Sequence, residues 1–136
     1  MSSYIRKDLR QLVAQRANYC CEYCLLPDVN YYYRHEPDHI LASQHGGKTS
    51  AENLAFTCFS CNRFKGPNLT SIDAETGIII PLFNPRTQVW SEHFSLDGPT
   101  IHPLTAESRV TASLLRLNDH DRVEERRMLI VRGLYG

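Results

Sequence analysis

With 136 residues, 42% hydrophobic and 22% charged, the chain has the makings of one ordinary globular domain, and its composition excludes a fibrous or low-complexity protein. Fifteen Lys/Arg balance fifteen Asp/Glu, which argues against a grip on nucleic acid by bulk charge alone. Residues 1–70 carry 8 basic against 6 acidic side chains and residues 71–136 carry 7 against 9, so any basic path is local and lies on the first half.

The start, MSSYIRKDLRQLVAQRA, is charged and lacks the apolar centre of a signal peptide. No apolar run approaches the roughly 20 residues that cross a bilayer, so a cytoplasmic address is expected. Residues 5–18 read as a helix, with Ile5, Leu9, Leu12, Val13 and Ala17 at helical spacing and Asn18 as the stop. The Tyr-rich run Val29–His35 suits a short strand, and Pro37 limits how far a central strand could continue. ASQHGGKTSAE, residues 42–52, reads as a loop, Leu54–Thr57 as a return strand, and CFSCNRFK as a short helix stopped by Gly66-Pro67.

Beyond Pro67, Ile78–Phe83 reads as a strand after a Thr76-Gly77 turn, and Val89–Phe94 as a second strand. Thr105 is placed to cap a helix running to about Leu117, and Asn118 or Asp119 opens another that ends near Gly133. Arg122–Arg127, balanced by its Glu residues, reads as a solvated helix face. With no repeat and no linker, an α+β protein of a single domain over 1–136 is expected, with a core at about 19–67 and a C-terminal extension at about 68–136.

Four of the five cysteines form two CxxC pairs, Cys21/Cys24 and Cys58/Cys61. In a reducing compartment such knuckles read as a tetrahedral structural zinc site rather than as disulfides. The 33 residues between them exceed the usual roughly 15–20 of a simple ribbon, so the insert must hold structure of its own. Cys20 reads as a small buried hydrophobe, since four thiolates already complete such a site. The other reading of the four is unrelated buried thiols.

Inside that frame stand Asp38, His39 and Asn53, with Asn62 directly after its last cysteine. Asp and Asn oxygens suit a hard cation such as Mg2+. A neutral imidazole beside it can take the proton of an attacking water. Together they are a minimal set for cutting a phosphodiester with one metal. Adjacent strand residues point to opposite faces, so Asp38 and His39 serve one site only where the strand ends or twists. Lys65, three residues after Asn62, shares its helix face and is a candidate phosphate contact, as are Arg63 and Lys48 and the N-terminal Arg6, Lys7 and Arg10.

CEYC, DHI, the GG-containing loop, ENL and CxxCNxxKG, in that order from Cys21 to Gly66, resemble the HNH endonucleases with their ββα-metal fold. The resemblance implies that His39 is the general base, that Asp38 and Asn62 hold a divalent cation, that Asn53 pins the loop, and that the four cysteines hold a zinc away from the chemistry. It implies DNA as the partner and nicking as the elementary event, with a dimer or second encounter needed to cut both strands. Asn62 stands where many members have His, an HNN-type variant, which shifts the expected catalytic metal toward Mg2+ or Mn2+. WSEHF, with LFNPR before it, resembles an extension of some bacterial HNH proteins and assigns no chemistry.

Several residues near these motifs read more simply. His35 suits packing or a solvent-facing place, His45 suits a solvated loop or a phosphate contact beside Gly46-Gly47, and Trp90, His93 and Phe94 suit core packing. Tyr31-Tyr32-Tyr33 invites base stacking, but strand alternation would turn part of it inward. Two rivals to the nuclease remain: a non-catalytic zinc-stabilised nucleic-acid-binding module, and a protein-interaction domain on a degenerate nuclease core.

Overall fold

The computed structural model describes residues 4–30 and 32–136. It divides into two compact units, residues 1–67 and residues 68–136. Both mix helices with short antiparallel strand pairs, and the fold is α+β.

The first unit opens with helix α1, Lys7–Arg16. Asp8 in its first turn and Arg16 in its last complement the helix dipole. The helix stops as expected, through left-handed Asn18 (φ 53°) and Tyr19 (φ 58°). Ile5 and Val13, with Leu9, Ala14 and Ala17, pack on Leu54 and Phe56 to make the core. Leu12 alone of the expected stripe stays exposed.

The strand expected at Val29–His35 is absent from the described part of that run, and Tyr31 lies outside the described residues. Local side-chain bonds compete with a ladder there. Asp28 Oδ1 accepts from the His35 N–H at 3.0 Å and from Arg34 Nε at 3.1 Å, while Asn30 Oδ1 accepts from the Tyr32 N–H at 2.8 Å. His35 is buried against Phe56 and contacts the Leu26 carbonyl at 2.7 Å through Nε2.

The strand begins later, as β1, Glu36–His39, paired antiparallel with β2, Leu54–Thr57. Pro37 lies inside it, opposite Phe56. Ile40 N–H donates to the Asn53 carbonyl at 2.9 Å and extends the same register, which puts Pro37 at a position where no ladder N–H is needed. Phe56 turns its backbone away from β1, its N–H donating to the Glu22 carboxylate at 2.7 Å and its carbonyl accepting from the Glu22 N–H at 2.9 Å. Arg16 donates to the carbonyls of Ala51 (2.9 Å) and Leu54 (2.8 Å), tying α1 to the entry of β2. Helix α2, Phe59–Lys65, follows with Cys58 as its N-cap and Gly66 at φ 50° after it. The loop between β1 and β2 holds two short 3-10 turns, Ser43–His45 and Ala51–Asn53.

In the second unit, β3 (Thr70–Ile72) pairs with β4 (Ile79–Pro81) around Gly77 at φ 73°. Val89–Phe94, expected as a strand, is instead a helical turn, α3 (Trp90–His93), running into β5 (Phe94–Asp97). Trp90 and Phe94 are four residues apart, a spacing that lets one turn of helix stack their rings at 5.0 Å. β5 pairs with β6, Thr100–Pro103, through a turn containing Gly98 at φ 58°. Thr105 and Ser108 form a capping box on α4, Ala106–Leu114, and α5 spans His120–Val131.

The solvated face expected at Arg122–Arg127 is half wrong. Arg122 and Arg126 are buried, and their guanidiniums bind carbonyls: Arg122 that of Leu115 at 2.6 Å, Arg126 those of Pro99 and Leu117 at 2.7 Å each. The Glu residues beside them in sequence do not decide this. The helix phase does, because Arg122 and Arg126 are four apart and share the inward face.

Candidate metal centre and catalytic site

The first knuckle is a tight turn. Cys21 N–H donates to the Leu26 carbonyl and Leu25 N–H to that of Cys21, both at 2.8 Å, with Leu25 left-handed at φ 64°. The second is the first turn of α2, where Cys58 Sγ accepts from the Cys61 N–H at 3.4 Å. The four sulfurs of Cys21, Cys24, Cys58 and Cys61 lie within 4.8 Å of one another, all buried, with Cys24 and Cys58 at 3.6 Å. A tetrahedron with metal–sulfur bonds of about 2.3 Å puts its sulfurs about 3.8 Å apart, so the cluster fits a structural zinc. Burial pushes the Cys21 and Cys61 thiols well up, and a bound cation is what would let them stand as thiolates there. Cys20 stays outside the cluster, bridged to Pro27 and half-buried.

Asp38 and His39 leave the end of β1 in different directions. The Asp38 carboxylate lies 3.7 Å from the Lys65 ammonium on α2, while His39 Nε2 meets the Thr49 hydroxyl of the loop at 2.9 Å. The Asp38 side chain is 20% exposed, and its buried Oδ2 has no hydrogen bond. Burial pushes the Asp38 carboxyl above the ordinary range, and the nearby Lys65 and His39 pull it back. Tyr23, in the first knuckle, is buried, and its phenol is pushed well up by burial first and then by the Asp38 charge. The zinc frame and the Asp38 site are therefore neighbours.

Lys65, expected as a phosphate contact, is turned inward. Its side chain is 2% exposed, and its ammonium donates to the carbonyls of His39 (3.1 Å) and Ile40 (3.3 Å) besides facing Asp38. It buckles α2 to the end of β1. Burial lowers its pKa and the Asp38 charge raises it again, with burial the larger effect. Asn62 lies three residues earlier, on the adjoining strip of α2, half-buried, its side chain without a hydrogen bond among the described residues. Arg63 and Lys48 are exposed.

Asn53 is fully used. Its Oδ1 accepts from the Leu41 N–H at 2.8 Å, and its Nδ2 donates to the carbonyls of Leu41 (2.9 Å) and Lys48 (2.8 Å). The carboxamide clamps the loop to itself at Leu41 and Lys48. Gly47 belongs to the same clamp, since a Cβ there would stand 1.6 Å from the Leu41 carbonyl oxygen and 2.9 Å from Asn53 Nδ2. Thr49, missed in the sequence, rides on this loop, and nothing in KTS distinguishes it from ordinary loop chemistry.

Asp38 supplies a buried oxygen with no hydrogen bond, and Asn62 an amide with none among the described residues; both are oxygen donors of the kind a hard cation takes. No described helix is long and apolar enough to cross a membrane. Neither the curated proteins nor the solved structures yielded a match to the chain. Residues 21–68 match the family described as HNH endonuclease, a span that begins at the first zinc-fitting cysteine and ends just after α2. That segment, with its four-cysteine frame, is similar to the HNH endonuclease family.

Proposed function

We propose that the protein is a metal-dependent endonuclease that hydrolyses DNA phosphodiester bonds one strand at a time. The observation that carries this reading is the pairing at the end of β1: a buried Asp38 oxygen with no hydrogen bond, next in sequence to an imidazole anchored on Thr49. Asp38 and Asn62 would hold the cation, Mg2+ or Mn2+ by their donor chemistry. When bound, it supplies positive charge to the scissile phosphate and the leaving oxygen.

The rest falls to the chain. In the tautomer where His39 Nε2–H donates to Thr49, Nδ1 carries the lone pair and takes the proton of the attacking water. The water oxygen bonds to phosphorus as the bond from phosphorus to the leaving sugar oxygen breaks. Asn53 and Gly47 keep Thr49, and through it the ring, in place. Lys65 fixes the backbone carbonyls of His39 and Ile40 and keeps the Asp38 carboxylate from standing alone in a buried setting.

A second reading rests on Lys65 as well. Its ammonium at 3.7 Å from Asp38 is already a cation for that carboxylate, and a chain that kept it there would bind nucleic acid without cutting. A plasmid-nicking assay in Mg2+ or Mn2+, with His39→Ala as control, separates the two. Cleavage by the parent chain and none by His39→Ala is expected. Equal rates from both would remove His39 as the base, and no cleavage with intact DNA binding would leave the binding module.

A further inference from the structure

Two exposed rings, one on the run before β1 and one at the start of α2, have no structural duty that explains their exposure. Tyr33 (54% exposed) and Phe59 (47% exposed) lie with ring centroids 4.5 Å apart and planes tilted by 37°. Neither is left to drift. Phe59 is the first residue of α2, and the Tyr33 N–H is held by Asn30 Oδ1 at 3.3 Å, with Arg34 next to it locked on Asp28.

The helix phase connects the rings to the candidate site. Going round α2, Lys65 faces the end of β1, Asn62 is about 60° further on, Phe59 about 60° beyond that, and Arg63 about 40° past Phe59, at about 100° per residue. The surface thus runs from buried Lys65 through half-buried Asn62 to exposed Phe59 and Arg63. Along the axis, Phe59 and Lys65 are about 9 Å apart at 1.5 Å per residue. Stacked nucleotides are spaced about 3.4 Å apart, so this axial offset alone corresponds to about two to three of them, and the rings lie at least that far along a strand from a phosphate held at Asp38 and His39. Arg63 has no hydrogen bond or ion pair among the described residues and can take a phosphate on the way. A paired base in a duplex shows only its edges, whereas an unpaired base offers a face to aromatic rings.

We propose that Tyr33 and Phe59 form a stacking platform for an unpaired base of the DNA strand that enters the Asp38–His39 site, with Arg63 on a neighbouring phosphate. The substrate class is accordingly single-stranded DNA, or duplex with an unpaired stretch at the cut. This deepens the nuclease reading and rests on it.

The test is binding of a short fluorescein-labelled DNA single strand and its duplex by the full chain carrying His39→Ala, so that nothing is cut, across a salt series. Phe59→Ala and Tyr33→Ala are each expected to weaken single-strand binding about ten-fold, with little change on duplex, and with the slope of log K against log salt unchanged. Arg63→Ala is expected to lower that slope by about 0.7, the share of one phosphate on a single strand. Phe59→Tyr and Tyr33→Phe keep the rings and are expected to bind as the parent does. An abasic gap in the strand should weaken the parent and leave Phe59→Ala unaffected. Zinc content equal to the parent's shows that each variant is folded, and the Tyr33 pair decides should Phe59→Ala lose it. Single-strand affinity unchanged in both alanine variants, with the parent binding normally, overturns the platform and leaves the nuclease reading standing. A parent that binds neither strand form overturns both readings at once.

Discussion

Replacing Lys65 by Met keeps the length of the side chain and removes its ammonium, and the structure assigns the loss to stability rather than to DNA binding. Three partly buried acceptors lose their partner: the carbonyls of His39 and Ile40, and the Asp38 carboxylate. Each orphaned carbonyl costs about 1 kcal/mol. Breaking a fully buried ion pair from one side costs about 3–5 kcal/mol, and the 20% exposure of Asp38 with a separation of 3.7 Å reduces that to about 1 kcal/mol. The sum is about 3 kcal/mol, which corresponds to roughly 10 °C in Tm for a chain of this size. Urea unfolding of parent and variant, with and without Mg2+, measures it, and added cation is expected to return part of the loss by taking the place of the ammonium at Asp38. The same variant should leave the salt slope of DNA binding unchanged. A Lys65→Met protein as stable as the parent, with a salt slope lower by about 0.9, would mean that the ammonium faces phosphate after all.

Purified protein should carry one zinc per chain, and Cys58→Ser or Cys61→Ser should lose both the zinc and the folded state of residues 1–67, read by metal analysis and hydrogen exchange; a folded parent without zinc would end that assignment. Gly47→Ala should destabilise the chain by more than about 3 kcal/mol, because its Cβ would collide with the Leu41 carbonyl, and calorimetry showing a loss under about 1 kcal/mol would refute the clamp. Asp73 is bound through Arg109, which holds its carboxyl down to about 2. The bond therefore contributes stability above the ordinary carboxylate range near 3.9 and loses it as pH falls toward 2. Arg109→Ala should move the acid-unfolding midpoint of the second unit to higher pH, and an unmoved midpoint would contradict the pairing.

Much of the first unit was legible because its signals are local and covalent in spacing. The two CxxC pairs announced a cluster, ENL announced the pin that Asn53 provides, and Gly66-Pro67 announced the end of α2. Capping chemistry made Thr105 readable for the same reason, since a hydroxyl three residues before a free N–H needs no distant partner. Tyr-rich Val29–His35 misled because β propensity measures fit to a pleated surface, and Asp28 and Asn30 spend that segment's N–H groups before any strand can pair with them.

The residues that only the tertiary structure decided are the long ones. Lys65, Arg122 and Arg126 carry charge, and a sequence puts charge in water by default. Each instead threads its stem through the packed interior to carbonyls 7 to 27 residues away. That choice depends on which carbonyls the folded backbone leaves unpaired, a property of the finished packing and not of neighbouring letters. The kinds of atoms brought to the site were written in DHI, ENL and CxxCN. Which of them face the solvent, and which hold the frame, was settled when α2 closed over the end of β1.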